Sequence, residues 1–133
     1  MHSQHFSESE LACRHCGVNL CTQDLLDALE TLRTNVAVPI TIDDAYRCAE
    51  HNKAVGGVPN SEHTRGVAAD IKIPGMTPQQ MYAAARNVPA FRNGGIGVAL
   101  HQGYIHVDVR STLARWCYDA NGKACAWDAS LDV

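Results

Sequence analysis

Aromatic residues make up only 6% of this 133-residue chain, and its formal net charge is only -3. A surface that stacks nucleic-acid bases needs aromatic side chains set among basic ones. An anionic lipid surface needs a basic field. The chain has neither, so no nucleic-acid or membrane-surface partner is expected. No stretch approaches the run of about 18 apolar residues that marks a membrane span. The opening residues Met1-His2-Ser3-Gln4-His5-Phe6-Ser7-Glu8 lack a basic n-region and an apolar h-region, so no signal peptide is expected. The expectation is synthesis in the cytoplasm, with another route out for any work outside. Repeats, linkers and low-complexity segments are missing too. A single domain over residues 1–133, acting as a monomer, is expected.

Apolar residues reach 46%, enough for a real core. There are six cysteines: Cys13, Cys16, Cys21, Cys48, Cys117 and Cys125. The even number favours bridges, whereas the missing secretion signal favours thiols. Cys117 and Cys125 flank Asp119-Ala120-Asn121-Gly122, and Asn-Gly is a hairpin-turn signal that would bring those sulfurs together. Cys13-x-x-Cys16 with Cys21 opens a metal reading, completed by Cys48 or His15. A second two-cysteine knuckle is absent, so a disulfide or buried thiols stand beside that reading.

Ser7 to Glu10 fits a capping box, starting a short helix that Gly17 ends. Thr22 to about Val36 reads as a longer helix, with Leu25, Leu26, Leu29 and Leu32 on its buried face. Pro39–Ile42 reads as a strand. Ala49 to Val55 reads as one or two helical turns before the loop Gly56-Gly57-Val58-Pro59-Asn60. Val67–Ile73 reads as a strand with Ala69, Ile71 and Ile73 on one face and Ala68, Asp70 and Lys72 on the other. Thr77, Pro78 and Gln80 open a helix to about Asn87. Gly97–Leu100 and Tyr104–Arg110 read as an antiparallel pair. The expected class is α+β: a small antiparallel sheet with helices packed against it.

Two segments carry chemistry. His63 and Asp70 stand seven residues apart around a turn at Gly66. A carboxylate in an otherwise apolar strand is costly unless something pairs with it, and a metal would do so. Without one, Asp70 would bond backbone amides and His63 would be solvated. In the second segment, strand alternation puts Tyr104, His106 and Asp108 on one face, with Ile105, Val107 and Val109 in the core. One of His106 and Asp108 suits a ligand, and the other a base or an orienting carboxylate. A solvent-facing polar stripe is the plainer alternative. Two imidazoles and two carboxylates suit a zinc ion with room for water, the chemistry of metal-assisted hydrolysis. Arg47 can hold a substrate carboxylate bidentately, or simply sit at the surface. His2 and His5 read as surface residues, His15 lies between cysteines, His51 reads as structural and His101 falls in a turn.

These residues form a pattern. Tyr46-Arg47-Cys48-x-Glu50-His51-Asn52, then Val55-Gly56-Gly57-x-Pro59-Asn60-Ser61-x-His63-x-x-Gly66-x-Ala68-x-Asp70, then Ile105-His106-Val107-Asp108-x-Arg110 occur in order. They resemble the zinc D-Ala-D-Ala carboxypeptidases and L-Ala-D-Glu endopeptidases of peptidoglycan, including phage endolysins. That fold is shared with the hedgehog signalling domain. The Cys13-x-His15-Cys16-Gly17 stretch and Arg115-Trp116 extend the resemblance over nearly the whole chain.

The resemblance implies a zinc cofactor held by His63, Asp70 and His106. It implies that Arg47 and Ser61 bind substrate, and that Asp108 acts as catalytic or orienting carboxylate. The substrate implied is a peptidoglycan stem peptide, cut at the cell wall or in the periplasm, after phage-mediated release in the endolysin case. In members that carry His-x-His, the second position is the ligand, which would make Asp108 the ligand and His106 the base. Gly103 stands where the family often has an acidic residue, and Asp44-Ala45 replaces its usual Ser-Gly. A non-catalytic zinc-binding module of the same fold is the alternative.

Overall fold

The computed structural model describes residues 3–132. α1 (Glu8–Leu11) has the encoded capping box: Ser7 Oγ accepts from Glu10 N–H, and Ser7 N–H donates to Glu10 Oε1. It ends well before Gly17. Residues 13–18 instead close a tight turn, with Gly17 N–H donating to Cys13 O and Cys13 N–H to Val18 O. α2 (Gln23–Val36) starts at Thr22, whose hydroxyl accepts from Leu25 N–H. Leu25, Leu26, Leu29 and Leu32 are all buried, as their spacing predicts.

β1 (Thr41–Asp44) begins at Thr41 rather than Pro39 and runs on through two aspartates. α3 (Ala49–Ala54) and β2 (Ala68–Lys72) lie close to their expected positions. α4 (Pro78–Ala85) has a second capping box, from Thr77 and Gln80. α5 (Pro89–Arg92) is a short turn that the sequence reading did not include. Then come β3 (Gly95–Ala99), β4 (Tyr104–Asp108), β5 (Ala114–Tyr118) and β6 (Ala124–Cys125), closed by a 3-10 turn at Ala129–Asp132.

The strands form one sheet in the order β1-β2-β4-β3-β5-β6. Its pairings are antiparallel except β3 with β5, which is parallel. The fold is α+β as expected, with a mixed sheet in place of a purely antiparallel one. The reason is topological. β4 occupies the place between β2 and β3, so β5 adds at the outer edge of β3 and runs in the same direction as β3.

α4 and α5 pack on β3 and β4, and α2 packs on both helices. Beneath them the sheet buries Ile71, Ile96, Val98, Ile105 and Val107. The opposite face carries a different row, in which Asp70 faces His106, His106 faces Gly97, and Gly97 faces Trp116. The β5–β6 hairpin sets Cys117 opposite Cys125, as its Asn-Gly turn predicts. Both are free thiols, so this pairing is one of proximity and not a bridge. No helix among the described residues is long and apolar enough to cross a membrane.

Gly66 joins α2 to the sheet. Its carbonyl accepts from Thr22 N–H at 2.9 Å, and its φ is +74°. A Cβ there would lie 2.0 Å from the Leu20 carbonyl oxygen. Gly66→Ala should therefore cost about 1–3 kcal/mol through a strained left-handed backbone. A lowered urea midpoint at unchanged m-value is the expected readout.

Candidate metal centre

His63 stands in the turn that leads into β2. Its N–H donates to Ser61 Oγ at 3.2 Å, and Thr64 Oγ1 donates to Ser61 O at 2.6 Å. Its ring Nδ1 lies 2.7 Å from Ala45 O. A carbonyl only accepts, so Nδ1 carries a proton and Nε2 is the ring atom turned to the triad. It lies 3.3 Å from Asp70 Oδ1.

Asp70 on β2 and His106 on β4 are direct cross-strand partners. His106 Nδ1 lies 3.2 Å from the same Asp70 Oδ1, and its Nε2 lies 2.7 Å from Asp108 Oδ2. Asp108 has no exposed surface. It accepts from Gly95 N–H at 2.8 Å, Arg110 N–H at 3.1 Å, Arg110 Nε at 2.9 Å and Arg110 Nη2 at 2.7 Å. Burial works against its charge, but the His106 ring and the Arg110 donors hold its carboxyl well below the usual range. An ionised Asp108 takes the Nε2 proton of His106 and leaves Nδ1 facing Asp70. Burial likewise opposes the charge of Asp70, while His63 and His106 keep it ionised. Against burial, the two carboxylates raise His106 to about 9.

The donor set fits a metal. The Nδ1–H bond to Ala45 O leaves His63 Nε2 turned toward Asp70 Oδ1 as a donor atom for a cation, and His106 Nδ1 approaches the same oxygen. Ligands on a tetrahedral ion with bonds near 2.0–2.1 Å stand about 3.3 Å apart. The separations of 3.3 Å and 3.2 Å match that edge. The three donor atoms all lie within 4.8 Å of one another.

The triad borders a cavity of about 670 Å³ whose wall includes Arg47, Ser61, Tyr104, Trp116 and Tyr118. That volume suits a ligand of a few residues. Arg47 is largely buried, with Nε 3.2 Å from Asp44 Oδ2. Of the residues expected at the site, His63, Asp70 and His106 converge, and Arg47 and Ser61 stand on the wall. Asp108 lies behind His106 and away from the cavity, because it is saturated by donors from below. His5 pairs with Glu30 at 2.7 Å, and His101 lies in an exposed turn. His2 lies outside the described residues.

Some contributors escaped the sequence reading. A Cβ on Gly97 would lie 2.5 Å from Trp116 Nε1, and one on Gly95 would lie 2.3 Å from Asp108 Oδ2. These glycines admit the indole and the carboxylate to the sheet face. Their signal was available: Gly95-Ile96-Gly97-Val98 alternates glycine with β-branched residues, which marks a close approach on one face. Trp116 in turn packs 5.0 Å from the His106 ring, with Arg110 stacked over it at 5.2 Å. The cysteines also regroup. Cys13, Cys16 and Cys48 come together, whereas Cys21 is buried against Leu11 O, 3.6 Å from its sulfur.

To serve as a ligand, His106 must release its Nδ1 proton. With that proton held to about 9, metal affinity should rise about tenfold per pH unit below that value and level off above it. Chelator competition at several pH values measures this. A flat profile would show that His106 is already neutral without metal. Asp108→Asn should weaken metal binding about 10–100-fold by loosening the His106 ring.

The Peptidase M15 family profile matches residues 4–108. No curated protein matches the chain. The matched span holds Arg47, Ser61, His63, Asp70, His106 and Asp108 and stops short of Trp116 and the β5–β6 hairpin. An α+β fold whose sequence motifs gather into one donor triad accompanies that match, and the chain belongs to the Peptidase M15 family of metallopeptidases.

Proposed function

We propose that this protein is a zinc peptidase that hydrolyses peptide bonds in the stem peptides of bacterial peptidoglycan. The supporting observation is a triad of two imidazoles and one carboxylate beside an open cavity, the donor set of catalytic rather than structural zinc. His63, Asp70 and His106 would hold the zinc ion, which would supply Lewis-acid polarisation of a carbonyl and activation of a water.

The protein's own residues do the rest. Arg47, Arg110 and Lys123 line the cavity against only Glu62 and Asp70, so a cleft in an acidic chain is cation-rich. Stem peptides are acidic, which suits that wall. Arg47 binds a substrate carboxylate or peptide oxygen, and its buried setting makes the pairing directional. Ser61 shapes the His63 turn and faces the substrate. Asp108 is a positioning residue that fixes the His106 ring. Glu62 is the other carboxylate on the wall, and we assign it the water proton, to be returned to the leaving amine. The protein acts as a monomer at the cell wall, reached by a route such as phage-mediated release. Either D-Ala-D-Ala or L-Ala-D-Glu is the scissile pair.

A second reading has one observation in its favour. Glu62 is ion-paired with Arg65 at 3.2 Å, and Gly103 supplies no carboxylate. A zinc module that grips wall peptides without cutting them would need no proton acceptor.

Digestion of purified peptidoglycan and of a D-Ala-D-Ala pentapeptide by zinc-loaded protein, with mass spectrometry of products, separates the readings. Released D-Ala establishes a carboxypeptidase, and a new N-terminal D-Glu establishes an endopeptidase. His63→Ala should abolish either product. Glu62→Gln should lower kcat at least about 100-fold at unchanged zinc content. Binding of stem peptide with no product, despite bound zinc, would leave the module reading.

A further inference from the structure

Outside the cleft, a second donor cluster sits where the N-terminal segment meets α3. The sulfurs of Cys13, Cys16 and Cys48 all lie within 4.8 Å of one another. Thiolates on a tetrahedral zinc stand about 3.8 Å apart, which this spacing accommodates. Each sulfur also receives a backbone N–H. Cys13 accepts from Cys48 N–H at 3.4 Å and from the amides of Cys16 and His15. Cys48 accepts from His51 N–H at 3.4 Å, and Cys16 from Val18. Neutral thiols are weak acceptors, so a shell of amides aimed at three sulfurs suits thiolates. The Cys13–Gly17 turn that aims them needs Gly17 at a φ of +75°. Beside the cluster, the His15 and His51 rings stack at 6.2 Å.

We propose that Cys13, Cys16 and Cys48 hold a second, structural zinc ion, completed by an imidazole of the His15–His51 pair. Thiolate-rich tetrahedral sets select zinc. The site ties residues 13–17 to the segment that serves the cleft. Along that segment, Ala45 O accepts from His63 Nδ1, and Tyr46 N–H donates to Leu11 O at 3.2 Å. Arg47 N–H donates to His63 O at 3.2 Å, and Cys48 N–H donates to Cys13 Sγ. A metal at Cys48 therefore anchors the strip that sets the tautomer of His63 and the base of Arg47.

The test uses the full chain, purified under reducing conditions, with metal analysis and cobalt substitution. Wild type should hold about two zinc ions, and His63→Ala and Cys48→Ser about one each. Cobalt-loaded wild type and His63→Ala should show a thiolate-to-cobalt charge-transfer band, which Cys16→Ser and Cys48→Ser lose. Cys125→Ser should keep it. The paired substitution His15→Ala, His51→Ala should weaken zinc retention at this site at least tenfold, and unchanged retention would overturn the imidazole assignment. If Cys48→Ser fails to fold, the wild-type band and the exposed Cys16→Ser still decide. A single zinc lost in His63→Ala, a cobalt protein without the band, or a disulfide among these cysteines in the unreduced protein would overturn the proposal. None of these readouts depends on peptidase activity.

Discussion

The structure depends on one largely buried carboxylate. Asp70 sits in the middle of a sheet with a histidine on each side and only its edge open to the cleft. Burying an unpaired charge costs several kcal/mol, and removing one partner of such a pair is more damaging than replacing the whole set. The fold answers this cost from two directions. β4 presents His106 directly across the ladder, and the Gly66 turn returns His63 over the top. Each imidazole is locked from behind, one by a carbonyl and the other by Asp108, so neither ring can turn away.

Much of this was legible in residue spacing. The period of Leu25, Leu26, Leu29 and Leu32 gave α2 its buried face, and cap residues placed the starts of α1 and α4. The alternation around Asp70 and around His106 put both on the non-helical face. Such features are local, and local rules govern them. The missing parts involve contacts between distant segments. The parallel β3–β5 pairing depends on which sheet edge remains free, which no short window reveals. The depth of Asp108 depends on Gly95 and Arg110 closing over it, which no short window of sequence shows. Cys48 joins Cys13 rather than Cys21 because the β1–α3 corner lies against the N-terminal turn.

The electrostatics of the cleft also depart from those of the chain. A net charge of -3 would steer acidic ligands away, yet the cavity wall gathers three cations. The aspartates that balance them lie in the sheet or under it. Arg47 and Arg110 are each paired with an aspartate, Asp44 and Asp108, that does not line the cleft.

Trp116, Tyr118 and the β5–β6 turn form one bank of the cleft, added at the free edge of β3 after the metal-bearing strands are complete. This bank supplies none of the three donor atoms. Trp116 is held in the notch left by Gly97 and against the His106 ring, and Tyr118 packs on Tyr104. Tyr118 and residues 122–124 therefore shape the cleft wall from a segment that follows every donor atom of the triad along the chain.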